Sequence, residues 1–419
     1  MTASPLASTP GRTLFGLVAA ETLSGLGTQL SFVALPWFAL RATDSPARMA
    51  AVFAAELVPV ALLGLPSAML VARVGIRAAM RLADLSRAVL IAMIPLLDAL
   101  GVLSFPLLLL LVCGVGAFTA PYLACQRSVL PEVFHEEVTV ARANSLIEGG
   151  TRFAAFAGPA AAGALIAAVG AVNVLWLDAV SYVISFLLLG LLPLLPGGGG
   201  RSSADDQGGV SAGLRHLLRD PLLVRLAGAT LMYGFLFPVL LATLPVLTRG
   251  RFGDDPAVLG WLLAAWGGGS VAGSLLAFRL AGRVPPLRLG GFAACVTALP
   301  LWALALPLPA VAVGALLVVS GVCVPVLNTA YITVITLRPP EALRTQVMTA
   351  LVTGNLLAGA AGYLCAGALL EASGPVPVFL TAAIVASAGA LLLTRVAATH
   401  GNAAASAKAI TLEIPETQS

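Results

Sequence analysis

Charge is what this 419-residue chain has least of. Asp, Glu, Lys and Arg together make up 10% of it, with a single Lys, Lys408, beside 22 Arg. Soluble domains carry about a quarter charged residues. At 59% hydrophobic, this chain has too little polar surface to cover itself in water. Histidine is also scarce: His135, His216 and His400 are scattered over polar segments, so no metal or haem centre is expected. The five Cys (Cys113, Cys125, Cys295, Cys323, Cys365) lie in or beside apolar runs, with no CxxC pair. They read as small buried hydrophobes, which excludes a disulfide framework and a zinc site. Met1 to Gly11 is polar and uncharged, with no cleavage site, so the first apolar run itself is expected to direct insertion. A soluble enzyme, a nucleic-acid binder and a secreted disulfide scaffold are all excluded.

Long apolar runs are what the chain has instead, with a mean hydropathy of +0.99. They fall at 14–40, 48–72, 78–100, 105–126, 143–168 and 173–195, then at 222–247, 257–281, 287–307, 310–337, 345–370 and 376–397. Each is long enough to cross a hydrocarbon core of about 30 Å as a helix. Twelve spans make an all-α polytopic membrane protein. The only long polar stretch between runs, 196–221, holds Gly197 to Gly200 and Asp205-Asp206 and reads as a flexible linker. A short amphipathic helix is expected over 211–219, capped by Ser211. The chain thus divides into a tail (1–13), a six-helix half (14–195), the linker, a second six-helix half (222–397) and a tail (398–419). Both tails are expected to be disordered.

Near-equal halves suggest duplication, and corresponding loops echo one another. Leu130-Pro131 leads to Arg142 and then Gly149, Gly150, Gly158 and Gly163; Pro339-Pro340 leads to Arg344 and then Gly354, Gly359, Gly362 and Gly367. Placing the N-terminus in the cytoplasm leaves only Arg41, Arg48, Arg249 and Arg251 outside, with the other 19 of 23 basic residues inside. That satisfies the positive-inside rule, and an even span count returns the C-terminus to the cytoplasm.

Ionisable groups at membrane depth cost at least about 2.5 kcal/mol for an Asp, Lys or Arg at a helix centre. They lie in the first half: Glu21, Glu56, Glu148 with Arg152 four residues on, and Asp178. Glu148 and Arg152 share a helix face and can pair. The interior from the seventh to the eleventh span carries only Asn328, Tyr331, Gln346 and Asn355. This asymmetry assigns proton coupling to Glu21, Glu56 or Glu148 with Arg152, and a greasy cargo surface to the second half. The alternative is structural, with Glu148–Arg152 a simple pair and Asp178 a helix-end anchor.

The loop Ala68-Met69-Leu70-Val71-Ala72-Arg73-Val74-Gly75-Ile76-Arg77 resembles the major facilitator signature G-x3-D-R-x-G-R-R, matched at Arg73, Gly75 and Arg77. Its acid is replaced by Ala72, and Asp84 and Arg87 stand in as gate candidates. Gly158-Pro159-Ala160-Ala161-Ala162-Gly163 looks like the G-P-x2-G-G core of antiporter members, where proline bends the helix and small residues allow tight packing. Ala141 to Leu146, Leu177 to Tyr182 and Leu259 to Gly269 together resemble bacterial exporters similar to enterobactin and macrolide permeases.

The resemblance implies two six-helix bundles about a pseudo-twofold axis, a central cavity, and transport by rocking of the halves. The expected activity is proton-driven export of a lipophilic or amphipathic molecule such as an antibiotic, drug or siderophore. A narrow metabolite cargo, or a partner-binding role without transport, is the alternative. Cavity candidates are Phe32, Trp37, Tyr233, Phe235, Phe237, Trp266, Asn328, Tyr331 and Asn355. The expected setting is the bacterial inner membrane, with both termini cytoplasmic, a functional monomer, and no cofactor, metal or nucleic-acid partner.

Overall fold

Proline and short capping side chains set where most of the helices begin. In this computed structural model the described residues are 10–134, 137–190 and 209–412. Thirteen helices occur among them. The first half holds α1 (Pro10–Thr43), α2 (Pro46–Val74), α3 (Ile76–Ala99), α4 (Phe105–Val133), α5 (Glu137–Val169) and α6 (Ala171–Leu189). A short α7 (Gly209–Arg219) follows. The second half holds α8 (Pro221–Arg251), α9 (Pro256–Leu280), α10 (Pro286–Leu304), α11 (Ala310–Leu337), α12 (Glu341–Ser373) and α13 (Pro375–Leu412).

Pro46, Pro221 and Pro256 occupy the first turn of their helices, where a missing N–H costs nothing. The preceding Ser45, Asp220 and Asp255 accept hydrogen bonds from the free amides. Gly75, at φ 82°, ends α2 and begins α3 in a backbone conformation that a side chain would strain. The glycine matched in the loop signature thus stands where the chain turns between the two helices.

Eleven of the twelve long helices are apolar enough by length and composition to cross a membrane. The remaining one is α3, which carries Arg77, Arg81, Asp84, Arg87 and Asp98. It packs between α4 and α6, and its central charges point into the bundle. Large apolar side chains cover much of the outside, Phe278, Phe292 and Leu110 among them. That surface suits lipid rather than water.

Within the first half α1 packs on α5 and α6, and in the second α8 packs on α12 and α13. The equivalence supports the duplication. The halves meet along two seams, α2 with α12 and α5 with α9, which exchange when one half is rotated onto the other.

Three expectations change in detail. The short helix starts at Gly209, so Ser211 lies inside it rather than at its cap. It also packs against α12 with Leu217 buried, and does not simply float on a surface. Finally, α13 continues to Leu412, so helix extends well into the segment read as a tail. The stretch 191–208, which holds most of the expected linker, lies outside the described residues, as do 1–9 and 413–419.

The α7–α8 corner is fixed by Asp220, which caps α8 and pairs with Arg338 at 2.5 Å. Partial burial raises its carboxyl pKa, but Arg338 and the amides of Leu222 and Leu223 more than offset that and hold it below the ordinary value.

Candidate functional site: a polar core beside a central cavity

The first half is not an ordinary greasy bundle. Asp84 and Arg87, one helical turn apart on α3, form an ion pair deep inside it, at 0% and 3% exposure. Ser185 of α6 donates to Asp84 at 2.6 Å. The guanidinium lies over the rings of Tyr122 and Tyr182, 4.2 and 4.4 Å from their centroids. Stacking of this kind suits a planar, weakly hydrated cation. Tyr182 in turn meets Thr28 of α1 at 3.0 Å.

Further acids surround this pair. Asp178 of α6 is fully buried and accepts hydrogen bonds from Ser31 of α1 and from Ser181. Glu21 of α1 is buried and accepts from Gln126 at 2.6 Å, while its other oxygen has no partner. Arg87 lies within electrostatic reach of Glu21, Glu56, Asp84 and Asp178. One carboxylate, Asp84, is therefore paired with the guanidinium, and three more lie within its field.

Asp84 and Arg87, expected at the gate, are thus part of the interior. They bond to each other and to α6 rather than to the α2–α3 loop. In that loop Arg73 is exposed, and Arg77 donates to the carbonyl of Gly190 at 2.7 Å, which ties the loop to its own half. Asp178, expected as an anchor near a helix end, instead belongs to the buried polar core.

Glu148 and Arg152 do pair, at 2.5 Å, but Glu148 is largely exposed. Arg152 also reaches Ser274 of α9 at 2.5 Å, so the pair bridges the α5–α9 seam. Gly158 and Gly163 lie on the same helix as this bridge. Pro159 turns its carbonyl toward Gly260 of α9. The antiporter-type segment is therefore a packing surface between the halves.

Between the halves lies a cavity of about 380 Å³. Phe32, Phe53 and Glu56 line it from the first half, and Phe237, Asn355 and Tyr363 from the second. Among the described residues Glu56 is the only acidic or basic side chain in its wall. Phe53 stacks on Tyr363 across the seam, with centroids 4.4 Å apart and planes 6° from parallel. Phe32 tilts against Phe53 at 5.4 Å.

Of the cargo candidates, Phe32, Phe237 and Asn355 line this cavity, and Tyr233 and Asn328 line a neighbouring chamber inside the second half. Four are placed elsewhere. Trp37 is buried in the core, at the rim of a recess near the α1 terminus. Tyr331 is buried between α10 and α11, its ring against Gly290. Trp266 packs on Phe237 behind the cavity wall, at 4.6 Å. Phe235 turns its backbone carbonyl toward Gly362 and lines neither chamber.

One end of the bundle is fastened. Arg41, at the end of α1, pairs with Asp254 between α8 and α9. Asp44, between α1 and α2, pairs with Arg249 at the end of α8, at 2.5 Å. Among the described residues these are the two ion pairs that join the halves. Both acids take left-handed backbone conformations (φ 56° and 59°), each two residues before a helix-starting proline. Glu371 of α12 accepts from Ser45 and from the amide of Ala47, closing the α2–α12 seam at the same end.

A model of the Major Facilitator Superfamily matches residues 17–363 and again 249–413. The chain belongs to the Major Facilitator Superfamily. It is accordingly a multi-pass membrane transporter and not an enzyme. Among curated relatives, the multidrug efflux pump Tap of Mycobacterium tuberculosis is 29% identical over 390 residues, covering 88% of this chain and 90% of Tap. The solved structure of nucleoside transporter NupG superposes with a TM-score of 0.72 at 12% identity, covering 91% of this chain and 98% of NupG. A bacterial homologue of the iron transporter ferroportin, in its inward-facing state, gives 0.73 at 12% identity over 93% and 99%. At such identities these two structures speak for the superfamily fold alone. The second match of the family model, beginning within α8, agrees with the internal duplication.

Proposed function

We propose that this superfamily member exports lipophilic or amphipathic small molecules across a bacterial inner membrane, driven by proton entry. The observation that carries the reading is the position of Glu56. Among the described residues it is the one charged group in the wall of the central cavity, and it lies within the field of Arg87 and Asp178. A carboxylate so placed can meet cargo on one side and exchange protons with a buried network on the other. Fully ionised, the four acids around Arg87 would leave three negative charges unmatched in a low-dielectric interior, at a cost of several kcal/mol. Protons relieve that cost, and cargo carrying positive charge competes with them for the same site.

Similarity to a multidrug efflux pump over nearly the whole chain supports drug-like cargo. The cavity's aromatic walls suit it too, since they bind by area rather than by an exact hydrogen-bond pattern. Sealing at the Arg41–Asp254 and Asp44–Arg249 end supports alternating access, with the basic-residue bias placing that end outside and both termini in the cytoplasm. The two seams lie within one chain, so a monomer suffices.

The test is extrusion of lipophilic dyes and antibiotics from cells expressing the protein, with and without a protonophore. Extrusion that collapses with the gradient in wild type, and is absent in Glu56→Gln at equal membrane expression, is the expected result. Extrusion indifferent to the protonophore would remove proton coupling.

A further inference from the structure

The short helix α7 carries three pairs of residues, each spaced four apart: Gly213 with Leu217, Leu214 with Leu218, and Arg215 with Arg219. At about 100° per residue each pair forms one stripe, and the three stripes follow one another around the helix.

The first stripe holds α7 to the bundle. Leu217 is buried, and a Cβ on Gly213 would lie 2.4 Å from the carbonyl carbon of Gln346 in α12. The second stripe is apolar and open, with Leu214 47% and Leu218 62% exposed. The third is basic, and both its arginines are exposed. Between Gly209 and Arg225 the chain has one acid, Asp220, which already caps α8 and pairs with Arg338. Among the described residues neither Arg215 nor Arg219 has an ion-pair partner.

The helix also stands at the right height. Two residues after Arg219, Pro221 opens α8, which is long and apolar enough to cross a membrane. Gln346 lies near the start of α12, another such helix. So α7 lies at one face of the bilayer, with an apolar stripe beside the bundle and a basic stripe beyond it. That is the order of acyl chains and headgroups met by a helix lying in the interface.

We propose that α7 is a docking surface for the anionic phospholipid headgroups of the inner leaflet. Leu214 and Leu218 enter the acyl boundary, and Arg215 and Arg219 meet the phosphates. A zwitterionic lipid offers the same phosphate without net charge, so the two unpaired cations select the anionic lipid. A soluble acidic partner would answer the arginines but leave both leucines in water. The surface belongs to the wall of the transport path as well, because α12 goes on to line the central cavity with Asn355 and Tyr363. The choice of leaflet rests on the orientation proposed above; the lipid preference does not.

The test uses full-length protein in a cysteine-free background with Leu218→Cys carrying a bimane fluorophore. It is placed in phosphatidylcholine nanodiscs, which present the same lipids on both faces. Lipids with brominated acyl chains, either phosphatidylglycerol or phosphatidylcholine, are then titrated in, and they quench the fluorophore on contact. Brominated phosphatidylglycerol is expected to quench at a several-fold lower mole fraction. Arg215→Gln or Arg219→Gln should each reduce that preference about fivefold, and the two together should abolish it. Arg279→Gln with Arg283→Gln, exposed around the α9–α10 turn, should leave it unchanged. Should the cysteine-free protein fail to fold, amide exchange of α7 in the native-cysteine protein takes its place. Exchange is then expected to be slower in phosphatidylglycerol than in phosphatidylcholine, with the difference lost in Arg215→Gln with Arg219→Gln.

Equal quenching by the two lipids, or equal exchange in them, would overturn the proposal. Quenching by neither lipid would overturn it too, by placing the leucine stripe in water or under protein. A preference that survives removal of both arginines would assign it to the general charge of that face rather than to α7. No transport is measured, so failure here and failure of the exporter reading are separate results.

Discussion

Gly163 of α5 and Gly260 of α9 meet backbone to backbone across the seam between the halves. A Cβ on Gly163 would lie 2.8 Å from the Cα of Gly260, and one on Gly260 would lie 2.7 Å from the Cα of Gly163. No side chain fits without moving the helices apart. Gly260→Val is therefore expected to lower stability by about 1–3 kcal/mol, as overpacking does. It should also reduce export far more than this loss explains, because the seam must hold as the halves rock. Thermal unfolding of the purified variant beside dye extrusion at matched expression checks both.

The fastened end lends itself to a different kind of test. Exposed ion pairs contribute about 0–1 kcal/mol each, so Asp44→Asn with Asp254→Asn should barely shift the unfolding temperature. The same energy acts directly on the equilibrium between closed and open at that end, where about 1.4 kcal/mol is a factor of ten. In a cysteine-free background with Phe53→Cys in the cavity wall, a membrane-impermeant thiol reagent added outside should label the double variant several-fold faster. An unchanged rate would mean that the pairs do not hold the end shut.

Arg87 is the sole cation among four acids, so its removal should be severe. Arg87→Met leaves buried carboxylates without a partner, and a loss of about 3–5 kcal/mol is expected. Arg87→Met combined with Asp84→Asn removes both members of the pair and should recover part of that loss. Unfolding of the two purified variants at neutral pH distinguishes a matched pair from an Arg that merely fills space.

Hydropathy and charge made much of the fold legible. Runs of twenty apolar residues are long enough to cross a bilayer, and near-equal halves with echoing loops pointed to duplication. The i, i+4 spacing of Glu148 and Arg152 gave their pair directly, and Gly75 marked the α2–α3 turn. The polar core was harder to see because its members come from five helices, α1, α2, α3, α4 and α6. Counting depth along one helix says that Asp178 is costly, but not that Ser31 and Ser181 meet it. Asp84 and Arg87 looked like loop neighbours because the charges of α3 begin at its start. Only the packing of α3 between α4 and α6 turns them inward. The aromatic candidates Trp37, Trp266 and Tyr331 failed as cavity residues for a related reason: every helix of a bundle has several buried faces, and composition does not say which one borders the cavity. A usable signal was overlooked, however. Asp44-Ser45-Pro46 and Asp254-Asp255-Pro256 repeat one pattern of left-handed acid, cap and proline at corresponding turns, and an Arg near the end of the other half's helix answers each acid.

The most direct measurement is made in proteoliposomes that carry the purified protein and an imposed pH difference, with ethidium as the lipophilic cationic probe. With the interior acidic, wild type is expected to accumulate ethidium while a trapped pH-sensitive dye reports faster loss of the gradient. Glu56→Gln, still folded and inserted, should show neither effect. Ethidium movement by wild type without any accompanying proton flux, or full coupling retained in Glu56→Gln, would contradict a cavity carboxylate that exchanges protons for cargo.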